Sequence, residues 1–106
     1  MTLYETPTFT RLVSKYLDED EYRLLQITLA YSPDAGVLIQ GGHGIRKIRW
    51  GAKGHGKRGG VRIIYYWAKS KNVILMLYIY AKNRQSDLTP SQIKALGEFV
   101  FKEFAD

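Results

Sequence analysis

The stretch Val61–Ala68, with the sequence VRIIYYWA, decides the fold that this chain can adopt. Its β-branched and aromatic residues are typical of a β-strand, and they occupy odd and even positions alike. Because neighbouring strand residues point to opposite faces, Val61 and Ile63 lie on one face while Arg62 and Ile64 lie on the other. A strand that is apolar on both faces is predicted to be central in its sheet.

Two further strands are predicted on either side of this segment. Ile45–Trp50 and Val73–Ala81 have the same texture, and the polar residues 70–72 suit a hairpin turn before the last strand. None of the connections is long enough for a crossover helix, which favours an antiparallel sheet. A short strand is also expected at Leu3–Tyr4.

Two helices are predicted before the sheet. Thr6 and Pro7 read as the N-cap and first residue of one helix, which is followed by apolar residues at helical spacing. Asp18 begins the second helix, with Glu21 at the capping-box position, and this helix ends before Pro33. We expect the two helices to form a hairpin.

A third helix is predicted at the end of the chain. Thr89 is its N-cap, Pro90 its first residue and Gln92 the partner in a capping box. Gly97 lies on its buried stripe, where it would allow close packing on the sheet. The predicted fold class is α+β, with an N-terminal helical hairpin, a small twisted antiparallel sheet and a C-terminal helix in one domain, 1–106.

The composition excludes several classes of protein. The chain has 106 residues and no cysteine, which excludes a disulfide framework and thiolate metal sites. Its N-terminus lacks a basic start followed by an apolar run, and no segment reaches the roughly 18 apolar residues of a membrane span. A cytoplasmic protein is expected.

The positive charge is concentrated in the middle of the chain. Sixteen lysines and arginines against ten acids give a net charge of +6, and no acid occurs between Asp34 and Asp87. Eleven of the sixteen cations lie in that window. A half-chain of one charge sign indicates a face that binds a polyanion, with phosphate as the obvious group.

The segment Gly51–Gly60, GAKGHGKRGG, matches two phosphate-binding motifs by pattern alone. A P-loop needs Ser or Thr after its lysine and a helix behind it, but Arg58 follows Lys57 and a strand comes next. A dinucleotide fingerprint also needs a helix, and an acid about twenty residues on, and both are missing. We interpret the segment as a cationic loop that follows the phosphates of a single-stranded nucleic acid.

Metal and cofactor chemistry is not predicted. The two histidines, His43 and His55, have no carboxylate near them in sequence, so a zinc or two-metal nuclease site is disfavoured. RNA carries its own nucleophile, the 2′-hydroxyl, and its attack on the adjacent phosphorus needs only orientation, proton transfer and charge stabilisation. Arg62 and Lys82 would flank one phosphate if their strands pair.

The joined pattern of four segments resembles the RelE superfamily of bacterial toxins, and especially its HigB branch. These segments are Ile45–Arg49, Gly56–Tyr66, Tyr80–Asn83 and Asp87–Thr89. The resemblance implies a ribosome-dependent endoribonuclease that cuts messenger RNA in the A site by the 2′-hydroxyl route. It also implies a cognate antitoxin that silences the protein.

The resemblance and the charge pattern together predict the site. The predicted catalytic residues are Arg62, Lys82, Lys57 and Asn83, and the predicted RNA-binding residues are Lys47, Arg49, Lys53, His55, Arg58 and Arg84. Many RelE members have an arginine where this chain has Asn83, and a tyrosine where it has Leu88 and Thr89. The general acid and base therefore stay open.

Two other functions fit the same residues. One is a non-catalytic module of this fold that binds RNA or the ribosome. The other is an enzyme acting on a small phosphorylated ligand, which would need a deep apolar pocket rather than a shallow basic groove.

Overall fold

The computed structural model describes residues 1–51, 60–85 and 87–104. Within these ranges, three helices accompany one five-stranded sheet. The strands are β1 (Thr2–Glu5), β2 (Val37–Leu38), β3 (Ile45–Trp50), β4 (Val61–Ala68) and β5 (Val73–Ala81), and the helices are α1 (Pro7–Tyr16), α2 (Glu19–Tyr31) and α3 (Pro90–Phe104). None of these helices is long and apolar enough to cross a membrane.

The central position of β4 is confirmed. The strand order is β1-β5-β4-β3-β2, and β4 pairs antiparallel with both β3 and β5. The bounds predicted for β3, β4 and β5 are those observed. The hairpin between β4 and β5 contains a single 3₁₀ turn followed by Asn72 in the left-handed conformation, with φ of 54°, which asparagine tolerates better than most residues.

The sheet is mixed rather than wholly antiparallel. β2 to β5 are antiparallel as predicted, but β1 pairs parallel with β5, with Leu3 opposite Ile74. The prediction considered only connections between neighbouring strands, whereas the whole intervening chain separates β1 from β5. β2 was not predicted because it has only two residues, and these are exposed.

The sheet separates two cores. The face covered by α1 and α2, called here the hairpin face, buries Phe9, Leu25, Leu29, Val61, Ile63 and Tyr65. The opposite face, called here the α3 face, buries Ile45, Ile64, Leu75, Leu77, Leu88 and Val100. The predicted alternation along β4 is therefore confirmed, and Arg62 lies on the α3 face with Ile64.

Each helix begins where its capping residues predict. Phe9 N donates to Thr6 Oγ1 at 3.1 Å, and the capping box of Asp18 with Glu21 is complete. Gln92 N donates to Thr89 Oγ1 at 3.1 Å. These bonds satisfy amide groups that a helix start otherwise leaves unpaired.

Gly97 permits a close approach, but to a turn rather than to the sheet. A Cβ atom at Gly97 would lie 3.0 Å from the Gly42 carbonyl group and from His43 Cδ2. The glycine therefore lets α3 pack against the turn that precedes β3. This corrects the prediction that it packs on the sheet.

Candidate functional site

Two arginines face each other on neighbouring strands of the α3 face. Arg49 of β3 is the register partner of Arg62 of β4. Directly opposed like charges destabilise an antiparallel pair by about 0.2–1 kcal/mol. Within the described residues neither arginine forms a salt bridge. The nearby charge of Asp87 acts on Arg62 without forming such a bridge.

Arg62 is also buried. Only 7% of its surface is exposed, and its hydrogen bond runs from Nη1 to the Val61 carbonyl oxygen at 3.4 Å, which is long for such a bond. A charge taken out of water is costly unless it is paired and hydrogen-bonded. An anion arriving from outside would meet this requirement.

Tyr80 of β5 lies directly opposite Arg62 on the other side. Its side chain is buried, and its hydroxyl has no hydrogen-bond partner. In the described part of the chain, the indole Nε1 of Trp67 is the other buried polar side-chain atom without a hydrogen-bond partner. Burial, and then the charge of Asp87, raise the pKa of Tyr80 to about 12, against the opposing effect of Arg62. The phenol therefore stays protonated at neutral pH.

An ion pair lies at the surface beside these residues. Lys47 Nζ is 3.1 Å from Asp87 Oδ1, and the Asp87 carboxylate also accepts from the Leu88 amide at 2.9 Å. The hydrogen bond from Lys47, that amide and the nearby charge of Arg62 hold the pKa of Asp87 below its usual value. Such exposed pairs contribute about 0–1 kcal/mol, so opening this one costs little.

The end of β5 brings three more predicted residues to this edge. The Lys82 amide donates to the Gly60 carbonyl oxygen at 3.2 Å, which extends the pairing of β5 with β4 by one residue. Lys82 directly follows the last residue of β5, and its side chain is exposed. Asn83 and Arg84 follow in an exposed turn.

Four predicted residues cannot be placed. Lys53, His55, Lys57 and Arg58 lie outside the described residues. The described strand residues on either side of them, Trp50 and Val61, are register partners.

A groove of about 560 Å³ runs beside this cluster. It is lined by Ala35, Val37, Lys47, Ile48 and Arg49. Its walls combine aliphatic side chains with two of the predicted RNA-binding cations. A second, more apolar cavity of about 300 Å³ has Leu77, Leu96 and Phe99 among its lining residues.

The other histidine lies far from these cations. His43 precedes β3, at the end opposite Trp50, with φ of 57°, and its ring centroid is 5.0 Å from that of Phe101. Among the residues that the structure describes, no group of three or more His, Cys, Asp or Glu side chains is arranged to hold a metal ion.

Sequence reasoning missed two members of the cluster. Tyr80 was noted only as part of the segment Tyr80–Asn83, and its unpartnered hydroxyl has no signal in the sequence. Asp87 was noted as the acid that ends the basic window and as part of the segment Asp87–Thr89, but not as a member of the site. Its contact with Lys47 joins residues 40 positions apart, and local patterns do not reveal such pairs.

Comparison with known proteins identifies similarity to one toxin family. A family model described as the RelE toxin of the RelE/RelB toxin–antitoxin system matches residues 1–105. A solved structure of the E. coli toxin RelE, a double arginine-to-alanine mutant in the free state, superimposes with a TM-score of 0.57 at 17% identity. The match covers 80% of this chain and 86% of that one, and at this identity it shows the fold.

Proposed function

The chain belongs to the RelE toxin family, and we propose that it is a ribosome-dependent endoribonuclease of the HigB-like branch. In this proposal it acts in the cytoplasm on messenger RNA in the ribosomal A site, and cleavage stops translation. A cognate antitoxin, the partner named in the family description, silences it.

The proposed chemistry uses the 2′-hydroxyl of the RNA. The 2′-oxygen attacks the adjacent phosphorus, the bond to the 5′-oxygen breaks, one proton leaves the nucleophile and one reaches the leaving group. Arg62 and Lys82 hold the phosphate and stabilise the charge that develops on it, because arginine can donate two hydrogen bonds to one phosphate. Lys57 and Asn83 complete the proposed catalytic set.

One observation carries this proposal. Arg49 and Arg62 oppose each other on adjacent strands, and within the described residues neither forms a salt bridge with an acid. An arrangement that costs stability is explained if a phosphate group binds between the two guanidinium groups. Lys47, Arg84 and the groove beside β3 would then contact neighbouring phosphates, on the message or on ribosomal RNA.

Two assays test this function. Induced expression should arrest growth, and co-expression of the neighbouring antitoxin gene should relieve the arrest. Primer extension with purified ribosomes should then show cuts in ribosome-bound message and none in the same message without ribosomes.

The pattern of results separates the alternatives. Growth arrest and ribosome binding without any cut would support the non-catalytic binding module instead. Equal cutting with and without ribosomes would contradict the dependence on the ribosome.

A further inference from the structure

The hydroxyl of Tyr80 is a buried hydrogen-bonding group that the fold does not use. Tyr80 is 3% exposed and its Oη has no partner. A phenylalanine would fill the same space without burying an unpaired polar atom, so the hydroxyl has a cost that packing does not explain.

Tyr65 shows how this fold treats a hydroxyl that serves structure. Tyr65 Oη donates to the Pro33 carbonyl oxygen at 2.8 Å and accepts from the Gly36 amide at 2.8 Å. Both tyrosines are buried on neighbouring strands. One hydroxyl is fully used, whereas the other is left free beside a buried arginine.

We propose that the Tyr80 hydroxyl is a catalytic hydrogen-bond donor to the scissile phosphate, acting beside Arg62. This inference rests on the proposed function. The two groups are cross-strand neighbours on the α3 face, so their side chains are within reach of one small anion. The phosphate oxygens then accept hydrogen bonds from both the hydroxyl and the guanidinium group.

The nature of the site favours a phosphate over a base or a flat protein surface. Arg62 and Tyr80 are 7% and 3% exposed, so a ligand reaches them with a small group, such as a phosphate, more readily than with a base or a flat surface. The Lys47–Asp87 ion pair lies at its exposed side, and the Asp87 charge acts on both Arg62 and Tyr80. Phosphate oxygens would replace the Asp87 carboxylate once this pair opens.

A donor of this kind has a defined energetic signature. It stabilises a phosphate weakly in the bound substrate and more strongly as negative charge develops in the transition state. Loss of one such donor lowers the rate by about 100-fold. Because the hydroxyl is unpaired in the free protein, its removal does not lower the melting temperature.

The experiment compares the wild-type protein with Tyr80→Phe and the matched control Tyr65→Phe. Three quantities are measured for each: the melting temperature, the rate of message cleavage on ribosomes, and affinity for a 2′-O-methyl RNA oligonucleotide that cannot be cleaved. For Tyr80→Phe we expect an unchanged or higher melting temperature, about 100-fold slower cleavage and a few-fold weaker binding. For Tyr65→Phe we expect a lower melting temperature with wild-type cleavage at a temperature where the variant is folded.

The outcomes distinguish this inference from the proposed function. Wild-type cleavage by Tyr80→Phe overturns the inference and leaves the proposed function intact. Slower cleavage accompanied by a lower melting temperature also overturns it, because the hydroxyl is then structural. If the wild-type protein does not cleave, the proposed function fails. In that case, equal binding of the oligonucleotide by wild type and Tyr80→Phe also refutes the role of the Tyr80 hydroxyl as a donor to phosphate.

Discussion

The hairpin face and the α3 face of the sheet treat their polar groups differently. On the hairpin face, Tyr65 makes two hydrogen bonds, and Arg46 donates from Nη1 to the carbonyl oxygens of Gly36 at 2.8 Å and Asp34 at 3.2 Å. On the α3 face, as far as the described residues go, Arg62 makes one long bond and the Tyr80 hydroxyl makes none. Trp67 Nε1 is an exception on the hairpin face, and nothing in the structure gives it a role.

This difference separates the part of the molecule that supports folding from the part that is available to a ligand. Paired polar groups contribute to stability, whereas unpaired ones reduce it and are retained where function requires them. Substitutions on the hairpin face should therefore change stability, and matched substitutions on the α3 face should change activity.

The largest effect on stability is expected at Gly36, beneath Tyr65. A Cβ atom there would lie 2.8 Å from Tyr65 Cε1 and 3.0 Å from the Lys47 carbonyl oxygen. Gly36→Ala should lower the free energy of unfolding by about 1–3 kcal/mol, measured by urea denaturation. Gly51→Ala is the control, because an added Cβ there has no heavy atom within 4 Å. Equal stability of the two variants would show that the packing around Tyr65 is loose.

A smaller loss is expected for Arg46→Met. The methionine keeps the aliphatic stem but leaves two carbonyl oxygens without their donor, at a cost of about 1–2 kcal/mol. Cleavage on ribosomes should stay at the wild-type rate. A variant that keeps its stability but loses cleavage would place Arg46 in the functional site and remove the contrast between the two faces.

The pH dependence of stability should report on Tyr80. Burial, and then the charge of Asp87, raise its pKa to about 12, above the value of 10.0 for a free phenol, and the charge of Arg62 opposes this increase. Tyr80 ionises at a lower pH in the unfolded chain than in the folded protein. Its contribution to the free energy of unfolding is therefore complete below about pH 10 and is lost as the pH rises through about 12. Urea midpoints at about pH 9 and about pH 11 should therefore fall less in Tyr80→Phe than in wild type. An equal fall would contradict a buried, protonated phenol.

The smallest effect is expected for the Lys47–Asp87 pair at the surface. Asp87→Asn should cost at most about 1 kcal/mol at neutral pH, and less in high salt. The pKa of Asp87 is lower in the folded protein than its value of 3.8 in the unfolded chain. The carboxylate therefore contributes to stability above pH 3.8, and this contribution is lost as the pH falls through the pKa of the folded state. The difference between Asp87→Asn and wild type should therefore vanish in acid, as followed by urea midpoints. A constant difference would show that the ion pair is not its source.

Local signals in the sequence predicted most of the fold. The strands Ile45–Trp50, Val61–Ala68 and Val73–Ala81 were bounded correctly because their texture and turn residues are local. The N-cap residues likewise marked the helix starts. The parallel pairing of β1 with β5 escaped prediction because it depends on contacts between the two ends of the chain.

The site was predicted less completely. The pairing of β3 with β4 brings Arg49 opposite Arg62, in keeping with the expectation of one cationic face. Lys47 was predicted to bind RNA, and its ion pair with Asp87 was not predicted. The free hydroxyl of Tyr80 depends on how three strands and the Asp87 segment converge, and sequence periodicity does not encode that.

The most direct test of the contrast between the faces is the cleavage rate and melting temperature of Arg62→Met, measured beside Arg46→Met. Replacing a buried, unpaired charge with an apolar side chain of similar length is often neutral or stabilising. We therefore predict that Arg62→Met melts at or above the wild-type temperature and cleaves ribosome-bound message at least about 100-fold more slowly. Wild-type cleavage by Arg62→Met, or a melting temperature as low as that of Arg46→Met, would contradict the assignment of the α3 face to function.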